Sequence, residues 1–303
     1  MISREEKNKK AQQQIEKAEK KKVRNKKLVK LFSTSLIILI IIFSFLFYMR
    51  YVGTSGLEVR EYRVVSSKLP KSFHGFKVVH LSDFHYNSTF SYEEFKTLVK
   101  EIKLLKPDAI VFTGDLTDQN VKITNHDIEQ MISLFNEMEA TTGLYAVRGN
   151  HDYENSYFDD VFLKTDFKIL DNDYELIYYL DSTPILINGI GSGIQDDIEL
   201  ENAFRLEDDT LYTITLLHEP DDINKVLANY HVDLALSGHS HNGQVRIPFI
   251  GPIIKMEGAK EYDDMYYKVN NTDLYISGGL GTSMYRFRWF NKPSINLYRL
   301  VTE

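Results

Sequence analysis

The chain has 303 residues, enough for one large domain and a small appendage, and 43% of them are apolar, enough for a sizeable core. It contains no cysteine, which excludes a disulfide framework, a thiolate-ligated metal and a cysteine nucleophile. The net charge of −7 is unevenly spread: residues 1–30 hold twelve Lys/Arg and four Glu, a net +8, which leaves −15 on the remainder and argues against nucleic-acid binding by the main domain.

Residues 1–30 read as a solvated, partly helical basic tail, with a grip on anionic lipid head groups as the functional alternative. Residues 31–49, Leu31 to Met49, form an uncharged stretch of 19 residues. At roughly 1.5 Å per residue this spans close to a bilayer core. A cleaved signal peptide usually has a shorter apolar core of about 7–15 residues, ending at small residues. Here the stretch ends at Tyr48-Met49-Arg50-Tyr51, so a retained transmembrane helix is expected. Eight Lys/Arg precede it within residues 11–30, and only Arg50, Arg60 and Arg63 follow closely. The positive-inside rule then predicts a single-pass protein of the cell membrane, its N-terminus cytoplasmic and residues 50–303 extracytoplasmic. Residues 50–56 read as a short link, and the globular domain is expected over 57–303.

From there strands and helices alternate. Glu58–Val65 and Lys77–Leu81 read as strands, the second running into Ser82-Asp83-Phe84-His85. Ser91 and Glu94 make a capping box for a helix with Phe95, Leu98, Val99, Ile102 and Leu105 on one face. Asp108–Phe112 is a strand ending at Thr113-Gly114-Asp115, and a helix is expected over 125–139. The run Gly143–Arg148 is a strand ending at Gly149-Asn150-His151-Asp152. Residues 156–165 read as helical, and 167–198 as short apolar runs and turns. Tyr212–Leu217 is a strand ending at His218, followed by a helix over 221–229. Val232–Leu236 is a strand ending at Ser237-Gly238-His239-Ser240-His241, and two more strands are expected at 273–277 and 294–299.

Five strands thus end in residues of metal-binding type: Asp83 with His85, Asp115, Asn150, His218, and His239 with His241. In open α/β sheets functional groups gather outside the carboxyl ends of the strands. Taken alone, Gly149-Asn150-His151-Asp152 is more often a turn; the succession of five is what makes the signal specific. Seven protein donors suit two metal ions sharing a carboxylate. A mixed N/O set without sulfur suits zinc, iron or manganese. Two such ions, partly neutralised by Asp83 and Asp115, favour a hydroxide and an anionic phosphate oxygen, the two-metal arrangement for in-line attack on phosphorus. Asp152 could hold the His151 ring in one tautomer. His80, inside a strand, is expected to be a hydrogen-bonded core histidine.

At these residues the sequence resembles the calcineurin-like metallophosphoesterases, whose pattern is D-x-H, G-D, G-N-H-D/E, a lone H, and G-H-x-H. Ser82-Asp83, Pro220-Asp221 and Gly243-Gln244 are similar to the membrane-anchored bacterial branch, most members of which carry glycine where Asn242 stands. The resemblance runs from about residue 57 onward. It implies an α/β fold, a four-layer α/β/β/α sandwich, here preceded by one transmembrane helix. It implies that Asp83, His85, Asp115 and His241 hold one metal, and Asp115, Asn150, His218 and His239 the other. His151 would contact the phosphoryl group or protonate the leaving oxygen, oriented by Asp152.

The expectation is a membrane-anchored phosphoesterase that uses two divalent ions on a phosphorylated small-molecule or lipid substrate. Monoesters, diesters and pyrophosphates are not separated by the motifs. The rival reading is a metal-stabilised binding or scaffold domain without catalysis, against which the complete ligand set argues. Arg286, Arg288 and Lys292, interleaved with Tyr285, Phe287, Trp289 and Phe290, suit a lipid head-group interface or an anionic substrate rim; an ordinary exposed hairpin is the alternative.

Overall fold

The computed structural model describes residues 3–303. Ser3 opens helix α1. Its hydroxyl accepts from the Glu6 N–H and its own N–H donates to the Glu6 carboxylate, both at 3.2 Å, so two donors at the helix start are satisfied at once. No Pro or Gly follows before Gly53, and α1 runs unbroken from Arg4 to Phe47. The basic tail is therefore helical throughout its described length and continuous with the apolar stretch, since nothing in the sequence interrupts the i→i−4 ladder. Its second half is long and apolar enough to cross a membrane. A π-helical turn, Tyr48–Val52, stands where the start of an irregular link was expected. Residues up to Met49 form one unit and Arg50–Glu303 another.

The second unit is built on two six-stranded sheets. The first contains β1 (Glu58–Ser66), β2 (Lys77–Leu81), β3 (Ala109–Phe112), β4 (Gly143–Ala146) and β5 (Phe167–Ile169). The second contains β6 (Asp173–Ile177), β7 (Ile185–Gly189), β8 (Thr213–Leu217) and β9 (Leu234–Ser237). A two-residue ribbon, β10 (Arg246–Ile247) with β11 (Gly251–Pro252), stands apart. The second sheet is completed by β12 (Tyr266–Val269) and β13 (Thr272–Ile276), and β14 (Ser294–Thr302) returns to the first. The strand orders are β1-β14-β2-β3-β4-β5 and β12-β13-β9-β8-β7-β6. β2, β3, β4 and β5 are parallel to one another, as are β7, β8, β9 and β13. The carboxyl ends of each parallel set therefore lie on one edge.

The layering follows from the two-residue repeat of a strand. Val79, Leu81, Ile110 and Phe112 face a core shared with helices α2 (Tyr92–Leu105), α3 (Asn125–Phe135) and α4 (Tyr157–Phe162). Their strand neighbours Val78, Ala109 and Val111 face the other way, onto Ile214, Leu216, Leu234 and Leu236 of the second sheet. Ala235, Leu274 and Ile276 then point outward, to a third core with Ala203 of α5 (Leu200–Ala203) and Val226 of α6 (Ile223–Leu227). The result is the α/β/β/α sandwich.

The capping box of α2 forms as expected, with the Ser91 N–H 2.8 Å from Glu94 Oε2. Helix α3 ends at Phe135, four residues early. Its last turn tightens into i→i+3 bonds, which still bring Met138 into the core. Strands β6 and β12 were not legible. Both are edge strands with half-exposed faces, so neither carries a clean apolar alternation.

Candidate metal centre

The edges of the two sheets meet where β2, β3, β4, β8 and β9 end. Two loops cross there in close contact. A Cβ on Gly114 would strike the backbone of Gly149, and a Cβ on Gly149 would strike the Asp115 carboxylate. Glycine is required at both positions because backbone must approach backbone. The non-glycine residues around them are strained: Asp83 (φ 54°), His85 (44°), Asp115 (60°), His239 (63°) and His241 (47°) all lie in the left-handed region. Such backbone is costly and is held only where its surroundings over-determine it. Asn242, at φ 47°, also adopts the conformation glycine takes most easily, and asparagine is among the few other residues that tolerate it.

All seven expected ligands come together. Asp83, His85 and His241 form one group, and Asp115, His218 and His239 a second. His85 Nε2 lies 3.1 Å from His241 Nε2, and His241 Nε2 lies 3.7 Å from Asp83 Oδ1. On the other side, Asn150 Oδ1 lies 3.1 Å from His218 Nε2 and 3.0 Å from His239 Nδ1. Asp115 Oδ2 stands between, 3.6 Å from His85 Nε2 and 3.4 Å from His218 Nε2.

The arrangement fits divalent cations. His218 Nδ1 lies 2.6 Å from the Thr113 carbonyl, and His239 Nε2 lies 2.6 Å from the Glu257 carbonyl. Each carbonyl accepts the ring N–H, which aims the opposite nitrogen inward as a donor to metal. Those two nitrogens, His218 Nε2 and His239 Nδ1, approach to 3.2 Å. Two ring nitrogens and an amide oxygen converging on one point repel unless positive charge lies among them, either a bound cation or a proton that Asp115 draws to His218. Asp83 Oδ2, His85 Nδ1 and His241 Nδ1 are buried without a hydrogen-bond partner. Burial lowers His85 and His239 to about 4, which keeps them in the neutral, ligating form. Burial also works to raise Asp115, but His218 beside it outweighs burial and holds the carboxylate well below its usual range, and Asp115 in turn draws His218 well above 6.5 against its own burial. Burial raises Asp83 to about 7, a cost that a bound cation removes.

The calcineurin-like phosphoesterase family model matches residues 76–243, the span that carries every one of these ligands. The chain belongs to this family. It is similar to the metallophosphoesterase YkuE of Bacillus subtilis, 34% identical over 84% of this chain and 88% of that one. It is also similar to the UDP-2,3-diacylglucosamine pyrophosphatase LpxG of Chlamydia muridarum, 26% identical over 78% of this chain and 88% of the relative. A transmembrane protein with a metallophosphoesterase domain from Danio rerio is 26% identical over 74% of this chain and 53% of its own length. The chain is thus a metal-dependent phosphoester hydrolase.

Three residues of the phosphoesterase stand differently from expectation. Asp152 does not orient His151. Its carboxylate is buried and accepts from the N–H groups of Asp115 (2.8 Å), Leu116 (2.9 Å) and Gly149 (2.9 Å). It ties the two crossing loops together, because three converging amides hold a carboxylate better than one ring nitrogen does. The carboxylate beside His151 is Asp118, whose Oδ1 lies 3.7 Å from His151 Nδ1 and whose Oδ2 lies 3.9 Å from His85 Nδ1. Sequence reasoning missed Asp118. The only signal was a second acid three residues after Asp115, which a strand-end count does not register.

Arg288 is the third. It was expected at an exposed basic rim but is fully buried. Its guanidinium donates to the carbonyls of Gly278 (2.7 Å), Gly279 (2.8 Å), Asn291 (3.3 Å) and Gly281. It fastens the loop whose Gly281 N–H donates to the Asp83 carbonyl at 2.7 Å. Burial draws it down to about 9. Arg286 pairs with Glu94. Of the three cations in this segment, Arg288 is internal structure, Arg286 is half-buried in a pair with Glu94, and Lys292 is exposed.

Proposed function

We propose that this chain is a membrane-anchored phosphoesterase that hydrolyses phosphoester or pyrophosphate bonds with two divalent cations. One ion would be held by Asp83, His85, Asp115 and His241, the other by Asp115, Asn150, His218 and His239. The observation that carries this reading is the position of Asp115 Oδ2, within 3.6 Å of His85 and 3.4 Å of His218, histidines on opposite sides of the centre. The N/O donor set supports zinc, manganese or iron. When bound, such ions supply an activated water and positive charge for the phosphoryl oxygens.

The chain's own residues do the rest. His151 is partly exposed, and its Nε2 lies 4.0 Å from Asp115 Oδ2, at the open side of the centre. From there it delivers a proton to the leaving oxygen, with Asp118 Oδ1 3.7 Å from its Nδ1 on the other side of the ring. Asp152 and Arg288 act at one remove, by holding the loops that carry Asp115 and back Asp83.

The helix that is long and apolar enough to cross a membrane supports an anchor, and the +8 tail before it supports a cytoplasmic N-terminus with the catalytic unit outside. A relative named as a UDP-2,3-diacylglucosamine pyrophosphatase supports a lipid-linked substrate. Metal analysis of purified protein tests the centre. Two ions per chain are expected, with both occupancies lowered in Asp115→Ala and chiefly one in His241→Ala. A single ion in the wild type, or two retained in Asp115→Ala, sinks the assignment.

A further inference from the structure

The surface beside the metal centre is unusually apolar. Ile250, Ile253, Ile254, Met284 and Tyr285 are all more than half exposed. Scattered apolar residues need no explanation, but a contiguous strip of this kind marks a binding surface. Between its two segments runs a groove of about 260 Å³. Val245, Ile253, Ile254, Met256, Met284 and Phe287 line it, together with the polar Gln244, Ser283, Tyr285 and Ser240 and the metal-centre residue His241. No Lys, Arg, Asp or Glu lines it.

The groove is built into the fold. Gln244 donates to the carbonyl of Tyr285 at 3.0 Å and accepts from the Ser283 N–H at 2.9 Å, joining one wall to the other. The backbones of the two segments are also paired, with the Trp289 N–H on the Gln244 carbonyl at 3.2 Å and the Arg246 N–H on the Trp289 carbonyl at 3.0 Å. Sites that enclose a whole ligand run to about 300–1,000 Å³. This one is smaller, and it shares His241 with the metal centre. It is sized for one limb of a substrate; most of its wall is apolar, and the Gln244 amide on it is already bonded to Tyr285 and Ser283. Two methionines among the wall residues suit a flexible apolar occupant.

We infer that this groove binds the hydrocarbon chain of a substrate whose phosphoester lies at the metal centre, so that the substrate class is an amphiphilic phosphate ester or pyrophosphate. The inference rests on the phosphoesterase reading above and adds to it the chemistry of the non-reacting limb. His241 belongs to both the groove and the metal centre, so head and chain are recognised by adjoining surfaces. Specificity is for chain length, and the segment after Gly243 sets it.

The test uses the full chain in lipid nanodiscs, loaded with manganese, and measures by calorimetry the binding of n-alkylphosphonates from methyl to octyl, with empty discs subtracted. Affinity is expected to rise by up to about fourfold per methylene, then level off when the groove is full. It should carry the negative heat-capacity change of apolar burial. The double variant Ile254→Asn/Met284→Gln should flatten the series. Phe249→Asn, which removes a fully exposed ring outside the groove, should keep the wild-type slope. A flat series in the wild type overturns the inference, as does a slope that survives in the double variant. A slope lost equally in Phe249→Asn assigns the strip to bilayer contact instead. The phosphoesterase reading is checked separately by methylphosphonate: binding that ignores manganese counts against that reading while the chain-length slope still stands.

Discussion

His80 lies in the middle of β2, fully buried, with its Nε2 2.8 Å from the Thr113 hydroxyl and its Nδ1 3.4 Å from the Tyr298 hydroxyl. The Thr113 hydroxyl donates onward to Ser82, so it accepts from His80 Nε2–H, while the Tyr298 hydroxyl, which accepts from Asn296, is free to donate to Nδ1 of a neutral ring. Burial lowers this histidine from 6.5 to about 3. Between these values the unfolded chain binds a proton that the folded chain does not, so stability rises with pH across that window and falls as pH drops below 6.5. Relative to pH 8, the loss from this one residue is about 1 kcal/mol at pH 6 and about 2 kcal/mol at pH 5. Against a typical total of about 5–15 kcal/mol this is large. The perturbation is His80→Gln, whose amide can still donate to Thr113 and does not titrate. Urea unfolding of detergent-solubilised protein, followed by Trp289 fluorescence, gives both stabilities from pH 8 to pH 5. The metal-centre histidines titrate in both proteins and cancel in the difference. The wild-type advantage should be constant above about pH 7.5 and shrink by about 2 kcal/mol at pH 5. A difference that does not change with pH would refute the argument that burial keeps His80 neutral.

Other outcomes follow from the site. His151→Asn should retain its metals and lose about 10²–10⁴-fold in kcat on substrates with poor leaving groups, and much less on nitrophenyl esters, in stopped assays across a leaving-group series; a large fall in metal content would make His151 a ligand instead. Arg288→Met leaves the buried carbonyls of Gly278, Gly281 and Asn291 without their donor, while Gly279 keeps the Ser294 N–H, so it should cost about 3 kcal/mol or more in urea unfolding and slow soluble and amphiphilic substrates in parallel; a selective loss on amphiphiles would restore it to a substrate rim. Protease added outside intact cells should degrade the chain to a small N-terminal remnant, and full protection alongside a cleaved surface control would reverse the topology.

The sequence by itself determined which seven candidate ligands meet at one place. Each ligand immediately follows a strand that is legible from its apolar run, and the parallel order of those strands carries them to one edge. It also determined the alternation of strands and helices, to which the family resemblance added the four layers, and the apolar stretch of residues 31–49, which is a matter of local composition alone. Only the tertiary structure decided the roles one step out from the metals. Asp152 and Asp118 are both acids near His151 or Asp115 in the sequence, and nothing local distinguishes them. The crossing of the Gly114 and Gly149 loops turns Asp152 toward three amides and leaves Asp118 facing the ring. Arg288 reads as an exposed cation from its neighbours, yet four carbonyls from a loop folded around it make burial tolerable. The apolar groove was equally hidden, because Val245 and Met284 are far apart in the chain and only Gln244 and the paired backbones bring their segments together. A strand's period is written in consecutive residues, whereas a side chain's partner across a loop is set by the path of the rest of the chain.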